Sequence, residues 1–302
     1  MRYSYTDRIF CITGAAGGIG SALCRMAASQ GAKIAALDRD AEGLAALHAG
    51  LPGSDHLTQV VDLTDDEAVE RALQTVGATF GRIDVLINNA GMTSAERFDQ
   101  RSVASIRQEL SVNLISPMVV TRLAIPWLQQ SDDPRILSTV SLGGIFPLGE
   151  TPMYTASKFG LRGAMLALAM DLGTRGYQVG SVLPSATDTP MLWQEAIDGG
   201  NSLQFLDPPQ QPADVVRAYQ RMLDKPRLER YPKVSESWLV RLVMLVPQRI
   251  QTLLPLFRGR GDRGMARYLR SLQERGIATR VDDRWVLLAE GSTHHSTHRV
   301  HS

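Results

Sequence analysis

Tyr154 and Lys158 stand four residues apart in Tyr154-Thr155-Ala156-Ser157-Lys158, a spacing that places a phenol and an ammonium on one face of a helix. A free tyrosine ionises near pH ~10, so at neutral pH it is a poor base by roughly 3 units, or about 4 kcal/mol. A fixed positive charge nearby recovers part of that deficit, and a phenol tuned in this way shuttles protons.

A second chemically suggestive stretch lies near the N-terminus. Thr13-Gly14-Ala15-Ala16-Gly17-Gly18-Ile19-Gly20 follows the apolar run Ile9-Phe10-Cys11-Ile12 and precedes a helical pattern from Ser21 to Ala28. The order of strand, glycine turn and helix lets the chain turn tightly and brings backbone N–H groups at a helix N-terminus close to a pyrophosphate. The next strand-like run, Lys33-Ile34-Ala35-Ala36-Leu37, ends in Asp38, eighteen residues after Gly20, where a carboxylate accepts hydrogen bonds from an adenosine ribose. Arg39 beside it is the group that would reach a 2′-phosphate if the carboxylate turned away.

Asn88-Asn89-Ala90-Gly91 follows the apolar run Val85-Leu86-Ile87, an asparagine sits in Ser111-Val112-Asn113-Leu114, and Ser141 precedes Tyr154 by thirteen residues. Together with the glycine turn and the tyrosine–lysine pair, these motifs make the chain resemble the short-chain dehydrogenase/reductase family over roughly residues 7–232. The resemblance implies an oxidoreductase with the catalytic set Asn113, Ser141, Tyr154 and Lys158. Tyr154 would be the general acid or base, Lys158 would lower its pKa and hold the nicotinamide ribose, and Ser141 would donate a hydrogen bond to the reacting oxygen. Asn113 would hold a water linking the lysine to solvent, and no metal is called for. Ser138 ends the same strand as Ser141 but lacks the family spacing to Tyr154, so it reads as structural.

The implied cofactor contacts are Gly14, Ala16, Gly18, Ile19, Gly20, Asp38, Arg39, Asp62, Leu63, Asn89, Ala90, Gly91, Tyr154, Lys158, Pro184, Thr187 and Thr189. NAD is expected over NADP, because Asp38 repels a 2′-phosphate and Ala15 and Ala16 offer no basic residue to offset that. Pro184-Ser185-Ala186-Thr187-Asp188-Thr189 resembles the family segment P-G-x-x-x-T, with Ser185 in place of the glycine. Serine does not share that residue's conformational freedom, so the local backbone is where the resemblance is weakest. Leu142, Phe146, Met153, Met191 and Trp193, expected near the cleft mouth, favour a hydrophobic secondary alcohol or ketone, of steroid, retinoid, aromatic or lipid type, over a sugar. Two alternatives stand beside this reading. A 3-oxoacyl carrier-protein reductase would draw on NADPH, which Asp38 disfavours, and a non-catalytic dinucleotide-binding regulator would have no need of the intact catalytic set.

The elements that must position these groups are legible as well. Apolar runs near 57–61, 84–88, 135–140 and 178–183 alternate with helical stretches near 65–80, 102–129 and 153–175. That alternation predicts an α/β fold, a Rossmann-type doubly wound parallel sheet of about seven strands with helices on both faces. The motifs fall after strand ends, where such folds bind ligands. Thr151 and Pro152 predict the capped start of the helix that carries Tyr154 and Lys158.

Composition sets limits. A 302-residue chain with formal net charge +1 and no basic cluster beside interleaved aromatics makes nucleic acid an unexpected partner. Two cysteines, Cys11 in the first strand and Cys24 in the first helix, read as reduced core thiols of a cytoplasmic protein, and a homodimer or homotetramer is expected. The first strand begins within about ten residues, leaving no room for a signal peptide, and no run of eighteen apolar residues spans a bilayer.

Residues 1–232 therefore read as the catalytic domain, 233–290 as an apolar and basic helical extension, and 291–302 as a disordered tail containing His294, His295, His298 and His301. Within 225–275 there are twelve Lys/Arg against four Asp/Glu. The apolar segments from Trp238 to Val246 and from Ile250 to Phe257 are too hydrophobic to be left in water and too broken by Pro247 and Pro255 to cross a membrane. Helices capping the cleft or making a subunit contact are the favoured reading, and a surface-lying anchor at anionic lipid, giving peripheral membrane association, is the other.

Overall fold

The computed structural model describes residues 2–288. The histidine-containing tail lies outside the described residues. Seven parallel strands, β1 (Ile9–Thr13), β2 (Lys33–Asp38), β3 (Leu57–Val60), β4 (Val85–Asn88), β5 (Arg135–Thr139), β6 (Gln178–Val182) and β7 (Glu229–Arg230), form one sheet in the order β3-β2-β1-β4-β5-β6-β7. All five residues of β1 and of β5 are buried, as a sheet covered on both faces requires.

One face is covered by α1 (Gly18–Ser29), α2 (Ala41–Ala49) and α8 (Pro212–Asp224), which bring Leu23, Leu44, Leu47, Val215 and Tyr219 onto Phe10, Ile12 and Ile34. The other is covered by α3 (Asp66–Phe80), α5 (Ser116–Leu128) and α6 (Pro152–Gly173), through Val69, Leu73, Val120, Ala124, Leu161 and Met165. Cys11 and Cys24 are both buried and unbonded to each other, and burial pushes each thiol up to about 12. Strand order reverses between β1 and β4, and there the carboxyl ends leave a crevice.

The helical stretch from α4 (Val103–Leu110) through a π-turn at Ser111–Ile115 into α5 is, by length and composition alone, apolar enough to cross a membrane, which the sequence reading did not anticipate. In the fold it is a core helix: Val120, Ala124 and Leu128 pack on the sheet. The π-turn buries Asn113, and such insertions recur at functional sites because they re-aim one side chain without ending the helix.

Thr151 departs from expectation. It stands at the N-cap of α6, with Pro152 following, but its hydroxyl makes no cap bond and is buried without a partner. Its backbone, at φ −129° and ψ 63°, falls short of the extended conformation in which a side chain reaches back to the first turn. Thr155 ties the preceding loop instead, its Oγ1 accepting from the Leu148 amide at 3.0 Å.

Beyond β6 run α7 (Pro190–Ile197) and a 3-10 turn at Ser202–Phe205. The extension holds α9 (Val234–Met244), α10 (Ile250–Leu253), α11 (Pro255–Glu274) and, unforeseen, an antiparallel hairpin of β8 (Ala278–Val281) and β9 (Arg284–Leu287). The hairpin turns through Asp282 and Asp283, both at positive φ, a conformation to which aspartate is better suited than most residues. Tyr268, Leu269 and Leu272 of α11 bury against Leu192, Ala196 and Phe205. The approach is close: a Cβ on Gly264 would lie 1.8 Å from the Phe205 carbonyl oxygen, and one on Gly261 would lie 2.6 Å from that of Ser202. Asp188 closes the same contact, accepting from Trp193 Nε1 (2.6 Å), Tyr268 OH (2.6 Å) and Arg275 (2.8 Å). Burial acts to raise its pKa, but these hydrogen bonds and the arginine outweigh that and hold it below the usual carboxylate range. On α9 and the residues after it, Trp238, Leu242, Leu245 and Val246 face solvent.

Candidate active site

A cavity of about 810 Å³ opens at the carboxyl ends of the strands. At one end lies the glycine turn. Gly14 adopts φ +63°, and a Cβ there would sit 2.7 Å from Ala90 Cα, so only glycine permits both the turn and the approach of the β4 loop. Gly20 does not line the cavity; it lets α1 close onto the Gly14 carbonyl, a packing role where sequence reasoning expected a cofactor contact. The N-cap of α1, Gly17, supplies no side-chain bond to the first turn, which leaves those N–H groups for an anion. Asn89 fixes the neighbouring loop, donating to the carbonyls of Thr13 (3.2 Å) and Gly14 (3.1 Å) and accepting from Thr139 Oγ1 (2.9 Å).

Asp38 ends β2 on the cavity wall, its carboxylate accepting from the amides of Ala16 (2.9 Å) and Asp40 (3.1 Å). Asp62, also on the wall, is held low in pKa by two hydrogen bonds from Thr64, with a smaller pull from the Arg39 guanidinium. Ala16, Gly18, Ile19, Arg39, Leu63, Ala90, Gly91, Pro184, Thr187 and Thr189 line the same volume. Ser185 takes no positive φ, so the serine stands in the glycine's place without backbone strain, its carbonyl accepting from Thr187 and Gln210.

At the other end, Tyr154, Lys158 and Ser141 meet. Lys158 is buried, its ammonium 5.6 Å from the Tyr154 ring centre and donating to the Thr139 carbonyl at 3.2 Å. Burial pushes Lys158 down to about 8, with the Glu109 carboxylate opposing. Burial also pushes the Tyr154 phenol up, to about 12, against the pull of its hydrogen bond with Ser141. The sequence led us to expect a phenol lowered by Lys158; here desolvation is the larger effect. Ser141 Oγ accepts from the Gly143 amide at 3.0 Å, which orients its own proton away from that turn. Asn113 accepts from the Met92 amide (2.8 Å) and donates to the Met92 carbonyl (2.8 Å) and Ser157 Oγ (3.1 Å), so its side chain clamps the β4 loop to α6. Ser138 lies buried against Met165, away from the cavity.

A family model described as short chain dehydrogenase matches residues 8–198. The chain belongs to that family. Its members are oxidoreductases that use a nicotinamide dinucleotide, and the crevice at the strand-order reversal is where this member would hold one. Levodione reductase of Leifsonia aquatica is 31% identical over 209 residues, covering 68% of this chain and 76% of that one. D-threitol dehydrogenase of Mycolicibacterium smegmatis is 34% identical over 205 residues, covering 67% and 78%. The crystal structure of levodione reductase superposes with a TM-score of 0.71 over 77% of this chain and 98% of that one, at 24% identity, a likeness of fold. Relatives of such different names at nearly equal identity leave the substrate to be read from the cavity itself.

Of the five residues expected at the substrate end, Leu142, Phe146 and Met191 line the cavity and Met153 and Trp193 do not. The Trp193 indole turns away to Asp188, with Arg275 over its ring, because the contact between α7 and α11 offers its N–H a partner. Glu195 and Gln204, which the sequence reading missed, line one side, and Val240, Val243, Leu254 and Phe257, from the apolar segments for which a cleft-capping role was one expectation, line the cavity from the extension. For Glu195 a signal existed, since it follows Met191 by four residues and Leu192 by three and so shares their helix face.

Proposed function

We propose that the protein interconverts apolar secondary alcohols and ketones with NAD(H) as cofactor. One observation carries the reading: a single cavity joins the Tyr154–Ser141–Lys158 cluster to walls built from Leu142, Phe146, Met191, Leu192, Val240 and Leu254, with Asp38 at its far end. The residues fit a dinucleotide. The glycine turn and the uncapped start of α1 suit a pyrophosphate, Asp38 suits ribose hydroxyls, and Lys158 would hold the second ribose.

When bound, the nicotinamide supplies or accepts the hydride. The rest falls to this chain. Ser141 donates a hydrogen bond to the reacting oxygen, stabilising the charge that develops on it. Tyr154 gives its proton to that oxygen in reduction and takes it back in oxidation, and a phenol held up near 12 favours the donor role at neutral pH. Lys158, charged below about pH 8, stabilises the phenolate left behind, and a proton taken up from solvent restores the phenol before the next reduction. Val240, Val243 and Leu254 exclude water and match an apolar substrate.

The test is a panel of steroid, retinoid, aromatic and aliphatic ketones and alcohols followed by NADH and NADPH absorbance. Apolar ketones with NADH should give the highest kcat/KM. A preference for sugar alcohols, or for NADPH, would overturn the substrate or the cofactor half of the reading respectively.

A further inference from the structure

The catalytic scheme leaves Glu195 without a task. It sits on α7 only 8% exposed, and it lines the cavity beside Leu192, Leu203 and Leu206. Gln204 donates to one carboxyl oxygen, and the Asn201 backbone adds a second hydrogen bond. A carboxylate offers about four acceptor sites, so two such bonds leave it unfinished. No lysine or arginine pairs with it among the described residues, and the charged groups that weigh on it most, Glu109 and Glu150, are themselves acids. A carboxyl buried among leucines with neighbours of its own sign is unfavourable unless something else in the cavity completes it. Tyr154 lines the same cavity.

We propose that Glu195, held in place by Gln204, is the recognition point for a hydroxyl group that the substrate carries away from its reacting carbon, so that the substrate class is a hydroxylated apolar ketone or the corresponding diol. This rests on the reading that Tyr154 marks the reacting carbon. Three chemistries could meet the carboxyl. A carboxylate ligand would be repelled by Glu195, the one nearby acid without an arginine partner among the described residues, since Arg101 pairs with Glu109 and Arg258 with Glu150. An ammonium would need Glu195 fully ionised, whereas burial raises this acid to about 7 and leaves it a mixture of both forms at neutral pH. A hydroxyl suits either form, donating to the carboxylate and accepting from the acid. It also carries no charge into the company of Leu192, Leu203 and Leu206.

The experiment uses the full chain with NADH and matched bicyclic ketones that are unsubstituted or bear a remote hydroxyl, amino or carboxylate group. The hydroxyketone should exceed the unsubstituted ketone by at least about tenfold in kcat/KM, mostly through KM. In Glu195→Leu that ratio should fall to near one, and in Glu195→Gln, which keeps the shape and the Gln204 contact, part of it should remain. Calorimetric binding of the same ketones repeats the comparison without turnover and serves if the leucine variant does not fold, with Glu195→Gln alone. A wild-type ratio near one, a ratio that survives in Glu195→Leu, or a preference for the aminoketone would each overturn the proposal. Turnover without hydroxyl discrimination would sink this inference alone. No turnover of any ketone with either cofactor would sink the proposed function, and the binding ratios would still decide Glu195.

Discussion

On the sheet side of the cavity, Asn113, Ser141, Tyr154 and Lys158 come from three neighbouring elements, and Asn113, Ser141 and Lys158 are fixed by hydrogen bonds to backbone atoms of Met92, Gly143 and Thr139. On the facing side, Leu192, Leu203, Val240 and Leu254 come from segments spread over more than sixty residues; Leu192 is buried against α11, and the other three are partly buried along the cavity. The first wall is specified by directional bonds, each of which fails if its partner moves by an ångström. The second is specified by volume, which tolerates substitution as long as the space stays filled. Chemistry is therefore expected to be brittle and substrate choice adjustable, and each of the following measurements presses on that contrast.

The largest effect should come from the bonded wall. Tyr154→Phe keeps the ring and removes the proton, and kcat should fall by about 10²–10⁴-fold with cofactor binding retained. Turnover within a few-fold of wild type would remove Tyr154 from the chemistry.

Next is the clasp within the facing wall, where α7 meets α11. Asp188→Ala strips the acceptor from Trp193, Tyr268 and Arg275 at once, and leaving those donors unpaired should lower stability by about 3 kcal/mol, read by urea unfolding. Truncation after Lys233 should go further and expose Leu192, Ala196 and Phe205, giving aggregation in the absence of lipid. A truncated protein that stays monodisperse with unchanged substrate preference would show that α11 matters little to the cavity.

Lys158→Met separates function from stability. Burial holds the folded-state lysine at about 8 against an ordinary 10.5, so between those values the unfolded chain binds more protons and wild-type stability rises with pH. The variant should be inactive yet more stable by on the order of 3 kcal/mol below pH 8, with the gain shrinking towards pH 10.5. Equal stability of the two proteins at pH 7 would contradict the cost assigned to that buried charge.

Glu195→Gln makes the mirror-image case. The folded acid sits at about 7 against an ordinary 4.5, so its contribution to stability is present below pH 4.5 and is lost as pH rises through 7. The glutamine variant should gain on wild type between pH 5 and 8, and thermal unfolding at the two ends of that range measures it.

How much of this was legible in the sequence follows the same division. Asn113 and Ser141 came from the family resemblance, whereas Tyr154 and Lys158 could be paired because residues four apart on one helix share a face, and Gly14 could be found because it follows a strand end. Asp38 followed for the same reason. Trp193 was misplaced because a side chain on a loop-borne helix turns to whichever neighbour satisfies it, and its neighbours, Tyr268 and Arg275, arrive more than seventy residues later. The state of the Tyr154 phenol was misjudged in sign because charge is visible in a sequence and desolvation is not. The hairpin at 278–287 went unseen because its strands are only four residues each and carry exposed arginines.

Gly261 and Gly264 bear on how such a cavity could be borrowed. They allow the α11 backbone to rest directly on the carbonyls of Ser202 and Phe205, the turn that presents Gln204 to Glu195. Grafting residues 190–208 onto a relative that ends near residue 230 would carry over the letters of the substrate wall without the surface that shapes them. A chimera would inherit this protein's preferences only if the helix came too, and an alanine at position 264 should be enough to disinherit it.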